Sequence, residues 1–368
     1  MENSLLKTKK VKFGVYESAL ATLLFVIYNF LFLQFYGMIP KAIRANDIVS
    51  SIANFLLECT FAVAAITVAL SRKVDMKKAT GINKKFNGRM VWLGFLISIV
   101  CLFGFGSITD LFTQILGMFG YNSVLSPFKL DFFWQYLIYI IVSCVTPAFC
   151  EEFLFRGVIL SGFKQYGAKI AIICSALIFT FMHGNAEQTV HQFIIGVVVG
   201  YIFYQTGNLW LGVIVHFFNN FISITSAFIL SWFTPETTEE VVETATVNPW
   251  LQLLVSAIIA AVLAYFGYKV LMYLLKQVFD EDKRINNSEV VLKNETTISV
   301  DGKEVVAEIQ IDGVSTSGAE LDNAESSSKD IKKSTESLSV GTIVMFSIAC
   351  CYLALEWISS LLIGFGVV

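Results

Sequence analysis

Residues 150–220 read CEEFLFRGVILSGFKQYGAKIAIICSALIFTFMHGNAEQTVHQFIIGVVVGYIFYQTGNLWLGVIVHFFNN. The run is apolar almost throughout, yet it holds Glu151, Glu152, Arg156, His183, His191, His216 and Asn220, with all 3 histidines of the chain among them. Ionisable side chains at membrane depth are costly to keep, so each is a functional candidate. The remaining sequence reads as a means of holding this run in a bilayer.

Composition supports that reading. Of 368 residues, 55% are hydrophobic and 15% charged, where a soluble domain has about 25% charged residues. Phe is abundant at 33 and Pro scarce at 5. A net charge of -3 with no basic, aromatic-studded face gives no sign of a nucleic-acid partner. The 7 cysteines lie mostly in apolar runs without CxxC spacing, which argues against a zinc ribbon or a disulfide framework. They read as small packing residues, and Cys150 stands out because it abuts the glutamate pair. The basic start, Lys7 to Lys12, precedes an apolar run of full membrane length, so the run reads as a retained span rather than a cleaved signal.

The expected fold is all-α, a polytopic transmembrane helical bundle of eight to nine spans. Apolar spans are expected near 14–37, 48–70, 91–117, 132–155, 170–183, 190–206, 209–230, 250–275 and 340–366. The loop at 71–90 carries Arg72, Lys73, Lys77, Lys78, Lys84, Lys85 and Arg89, whereas 231–249 carries Glu236, Glu239, Glu240 and Glu243 with no Lys or Arg. The positive-inside rule then puts the N-terminus and the 71–90 loop in the cytoplasm, with the acidic loop outside. The expected setting is a bacterial cell membrane.

The division expected is N-terminal spans over 1–130, a helical core over 131–230, an acidic loop and further span over 231–275, a polar insert over 276–338, and a last span over 339–368. Within the cytoplasmic insert, Glu289 to Ile311 alternates in places and Asp301-Gly302 offers a hairpin turn, so a small β-element competes with disorder. Glu356, deep in the last apolar run, reads either as a partner-facing residue or as one near a helix end.

On a helix Glu152 and Arg156 share a face, acid before base, and largely neutralise one another. Glu151 is turned about 100° away, with no local partner, which suits a group that must take and return a proton. The bland alternative is a helix cap or headgroup contact. His183 ends an apolar run ahead of Gly184-Asn185, a stop signal. His216 and Asn220 are i,i+4 and project from one face, while Asn219 points elsewhere. They can hold a water, a metal or an oxyanion, or simply hydrogen-bond between helices. His191 reads as an interfacial residue first. Gly196 and Gly200 form a small-xxx-small pair for close helix packing. Two carboxylates, imidazoles and a carboxamide within a bundle fit water activation for amide hydrolysis. Neither His-Glu-x-x-His nor Gly-x-Ser-x-Gly is present.

Glu151-Glu152-x-x-x-Arg156, Phe179-x-x-x-His183 and His216-x-x-x-Asn220, in that order, resemble the three motifs of the CPBP intramembrane proteases, also called the ABI or CAAX-protease family. The resemblance covers about residues 130–230 and rests on the ordered set rather than any one motif. It implies a membrane endopeptidase acting on a membrane-associated peptide or protein, lipidated substrates included. Glu151 is then the general base, Glu152 and Arg156 brace it, and His183 binds or polarises the water. His216 and Asn220 stabilise the oxyanion or complete a metal site. Zinc usually takes three protein ligands, and Glu151, His183 and His216 could supply them. Glu151 would then not be free as a base, so the reading favours metal-independent chemistry with zinc as the alternative.

Three other readings compete. A non-catalytic bacteriocin-immunity or partner-binding protein would keep the motif residues for structure. A transporter would use Glu and His as a proton relay, although no inverted repeat is evident. A thiol protease would use Cys150.

Overall fold

The computed structural model describes residues 13–123, 132–233, 248–294, 297–300, 303–306 and 338–367. The expected all-α bundle is found. Its long helices are α1 (Val15–Met38), α2 (Asp47–Arg72), α3 (Gly88–Met118), α4 (Phe133–Tyr166), α5 (Ala168–Met182), α6 (Thr189–Thr206), α7 (Leu209–Phe233), α8 (Pro249–Asn294) and α9 (Val340–Gly364). Nine spans were expected. Among the described residues, 7 helices are long and apolar enough to cross a membrane by length and composition, and α5 and α6 are not among them. Helix α5 is too short at 15 residues, and α6 carries His191, Gln192 and Gln205.

All nine nonetheless run back and forth between two polar rims. At one rim Arg72 Nε meets Glu17 Oε1 at 2.9 Å. Trp210 Nε1 donates to the Ile82 carbonyl at 2.8 Å, Asn208 Nδ2 to Asp282 Oδ1 at 3.0 Å, and Asn87 Nδ2 to Glu281 Oε1 at 2.7 Å. The Lys84 ammonium donates to the Thr206 carbonyl. This rim gathers the Lys- and Arg-rich 71–90 loop, the turn after α6 and the far end of α8. At the opposite rim Gln135 Nε2 donates to Asp47 Oδ2 at 2.8 Å, and Trp357 Nε1 to Thr189 Oγ1 at 2.7 Å. Ser123 and Tyr121 both donate to Glu187, at 2.8 and 3.2 Å. Burial, and then the Glu187 charge, push the Tyr121 phenol up from its ordinary value.

Two helices overrun their expected limits. The span expected at 250–275 belongs to a helix that continues to Asn294. Beyond it Thr297–Val300 and Lys303–Val306 pair antiparallel, Thr297 opposite Val306 and Val300 opposite Lys303. The Asp301-Gly302 turn, the 234–247 part of the acidic loop, the basic start and the 307–337 part of the insert lie outside the described residues.

The second overrun decides the site. The span expected to end at 155 runs on to Tyr166, which places Glu151 near the middle of α4 rather than at its inner end. Two π-helical segments, Ile140–Val145 and Phe155–Leu160, lie within it. Such segments leave carbonyls without a helical partner, and hydrocarbon offers none. Side chains supply them instead. Ser18 Oγ, with one hydrogen to give, lies within reach of both the Val158 and Ile159 carbonyls at 3.3 and 3.1 Å, Ser175 Oγ donates to Phe155 O at 3.1 Å, and Ser161 Oγ to Arg156 O at 3.0 Å.

Candidate active site

Helix α4 brings Glu151, Glu152 and Arg156 to the centre of the bundle, and α7 brings His216. Their exposures are 4%, 0%, 0% and 2%. His216 Nδ1 donates to Glu152 Oε1 at 2.9 Å, and Arg156 Nη1 approaches the same oxygen to 2.8 Å. The arginine contact is an ion pair without hydrogen-bond alignment, and Arg156 Nε and Nη1 make no hydrogen bond among the described residues. Its Nη2 donates to the Gly196 carbonyl at 3.2 Å, and its guanidinium lies 4.7 Å from the Phe179 ring centre.

Glycines make room for this assembly. A Cβ at Gly212 would stand 2.9 Å from Glu152 Oε2, and one at Gly196 only 3.0 Å from Ala176 Cβ. The expected close packing at Gly196 therefore joins α6 to α5 and also delivers a carbonyl to Arg156.

The expected pairing of Glu152 with Arg156 is present. Glu151, expected to lack a partner, has two neighbours from other helices. Its Oε2 lies 3.9 Å from His216 Nε2. Its carboxyl also meets that of Glu58 on α2. Neither Glu151 Oε2 nor Glu58 Oε2 receives an N–H or O–H from elsewhere among the described residues. Glu58 was not singled out in the sequence, although the rule that flagged Glu151 applies equally to a carboxylate in the middle of the 48–70 run.

His183 caps the end of α5. Its Nδ1 donates to the Phe179 carbonyl at 2.9 Å, which leaves Nε2 for a ligand. The Phe179 ring meets both imidazoles, its centre 4.9 Å from that of the His183 ring and 5.7 Å from that of His216. His183 and His216 thus pack edge-on against one phenyl ring.

Asn220 sits one turn beyond His216 and has a structural contact. Ser143 lies four residues before Pro147, which has no N–H to return to its carbonyl. Asn220 Nδ2 donates to Ser143 O at 3.1 Å, and one amide hydrogen remains. Asn219, expected to point elsewhere, is buried and joins the same chain. His191 Nε2 donates to Asn219 Oδ1 at 3.1 Å, and Asn219 Nδ2 to Asn220 Oδ1 at 3.3 Å. His191 is therefore tied to the site's amide pair rather than being simply interfacial.

The zinc alternative needs three ligands grouped around one point. Among the described residues no three of His, Cys, Asp and Glu are grouped to hold a metal, so Glu151, His183 and His216 do not form a ligand set. The Nδ1 atoms of both histidines are committed to a carbonyl and a carboxylate, so Nε2 of each is the atom left for any ligand.

Glu356, left open above, is exposed on α9, with its Cβ 3.7 Å from the position a Cβ would take at Gly184. The last helix therefore borders the residue that follows His183.

Residues 133–222 match a family model described as type II CAAX prenyl endopeptidase Rce1-like. The match is consistent with a CPBP family intramembrane protease, and it supports a peptidase and an integral membrane protein. It spans the segments that carry Glu151, His183 and His216. No curated protein and no solved structure matches the chain.

Proposed function

We propose that the chain is an intramembrane endopeptidase that cleaves a peptide bond of a membrane-associated protein or peptide, lipid-bearing ones included, with a water activated by Glu151. One observation carries the reading. Glu151 Oε2 and His216 Nε2 are both buried and stand 3.9 Å apart, so a single water at about 2.8 Å from each can donate to both. Glu152 keeps a proton on His216 Nδ1, which leaves Nε2 of the neutral ring as an acceptor. The water's own lone pairs then face outward.

In the reaction the water oxygen bonds to the substrate carbonyl carbon as Glu151 takes a proton. The carbonyl π electrons move to oxygen, and the remaining Asn220 amide hydrogen is the neutral donor offered to that oxyanion. As the C–N bond breaks, Glu151 returns its proton to the leaving amine. His183, with Nδ1 committed to the Phe179 carbonyl, offers Nε2 as an acceptor to the substrate or to the product acid. Arg156 holds Glu152 in place and does not meet the substrate. The 71–90 loop and the rim around it are assigned to the cytoplasmic side, on the strength of their Lys and Arg content.

The test compares membrane proteomes of cells carrying the native chain and Glu151→Gln at equal levels. New peptide termini should appear with the native chain and be absent with the variant. Identical fragments from both would refute hydrolysis by Glu151.

A further inference from the structure

Apart from Glu151, the buried acids among the described residues meet a cation or hydrogen-bond donors, as Glu187 does with Ser123 and Tyr121 and Asp282 with Asn208. Glu17 faces Arg72, Glu152 faces Arg156, and Glu281 faces Arg89 and Arg284. Glu58 does not: its carboxyl meets the carboxyl of Glu151. The contact is built into the packing of α2 on α4. Cys59 lies against Cys150, and Phe61 packs on Phe155 with ring centres 6.0 Å apart. The two acids are thus held together by neighbours on both helices.

Two carboxylates are acceptors only, and no other N–H or O–H among the described residues reaches Glu58 Oε2 or Glu151 Oε2. A hydrogen bond between them needs a proton on one. As a mere packing contact, an acid facing an acid would be a poor choice at membrane depth, where any apolar residue would serve α2 better.

We propose that Glu58 is a positioning residue of the hydrolytic site: it shares one proton with Glu151 and so fixes which oxygen of Glu151 is turned to the water. This rests on the hydrolytic reading above. At rest the pair holds one proton. When Glu151 takes a proton from the attacking water, the pair holds two. One of these passes to the leaving amine as the C–N bond breaks, and the pair returns to its starting state. Glu58 prevents Glu151 from turning away, and the pair ends each cycle with the one proton it began with.

The experiment uses the full chain in native membranes and reads the rate at which Glu151-dependent fragments accumulate, for Glu58→Gln and Glu58→Met. Gln keeps a donor for Glu151, whereas Met keeps the shape without one. Gln should stay within about threefold of the native rate and Met should lose about 100-fold, the scale of a misplaced general base. A native rate in Met, or an equal loss in both, overturns the proposal. Because Met could compromise folding, infrared difference spectra of the purified native chain and Glu58→Gln give a second reading. A protonated-carboxyl band that shifts in D2O should be present in the native chain and lost in the Gln variant. Its absence from the native chain overturns the shared proton. If Glu151→Gln still yields the fragments, the hydrolytic reading fails instead, and the infrared band still decides the carboxyl pair.

Discussion

His216 Nδ1 on α7 stands 2.9 Å from Glu152 Oε1 on α4, and Arg156 Nη1 reaches the same oxygen at 2.8 Å. One carboxylate therefore serves both a histidine whose Nε2 faces Glu151 and a buried cation. It holds the imidazole's tautomer through Nδ1, as second partners of functional histidines commonly do. It also makes a fully buried guanidinium tolerable.

Those two jobs can be separated. Glu152→Ala leaves Arg156 as an uncompensated buried charge, and stability should fall by about 3–5 kcal/mol. Adding Arg156→Met removes the stranded charge and should restore most of that loss, since an apolar replacement of a buried pair is often neutral. Cleavage should not return, because His216 still lacks its Nδ1 acceptor. Thermal unfolding in detergent and fragment release from membranes read the two quantities independently. Recovered cleavage in the double variant would remove Glu152 from the proposed mechanism.

Asn220 also needs its roles separated. Its amide satisfies Ser143 O, a carbonyl that Pro147 cannot serve. Asn220→Leu should therefore cost about 1–3 kcal/mol, the penalty of a stranded buried acceptor. Pro147→Ala supplies an N–H four residues after Ser143, and in that background the same change should cost much less. A double-mutant cycle on unfolding measures the coupling. If Asn220 also stabilises an oxyanion, cleavage stays low in the double variant although the helix is repaired. Restored cleavage would leave Asn220 with a structural role alone.

These contacts show how much was legible in the chain. Apart from the far ends of α4 and α8, the apolar runs were readable because polar punctuation closes them, such as Asn87 ahead of α3 and Gly207 after α6. The length of α4 was not. Gly157, Ser161, Gly162 and Lys164 read as an exit from the membrane, and the helix continues because Ser18 and Ser175, from distant parts of the chain, satisfy its freed carbonyls. The same limit applies at the site. Glu151, Glu152, Arg156 and His216 could be singled out by type and spacing. That Glu152 rather than Glu151 would hold His216 Nδ1 depends on how α4 and α7 rotate against each other. Helical phase alone sent Asn219 away from Asn220, but a hydrogen bond to His191 on α6 draws its amide back. Glu58 was readable by the rule applied to Glu151, but its one-residue signal had no motif around it.

Gly212 offers the sharpest split between stability and activity. A Cβ there would stand 2.9 Å from both Glu152 Oε2 and Val199 Cγ1. Both are side-chain ends, so they can shift, and overpacking of this kind costs about 1–3 kcal/mol. Against that, Ala in place of Gly within a helix gains about 1 kcal/mol. Gly212→Ala should therefore change overall stability by no more than about 2 kcal/mol. Its effect on Glu152 is different in kind, because the added methyl pushes the carboxylate that sets His216. Cleavage should fall at least tenfold, as it does when a histidine's second partner is displaced. Unfolding midpoints and fragment release measured on the same preparations would test this. Near-native cleavage with a folded chain would mean that the Glu152–His216 hydrogen bond is not what positions the water.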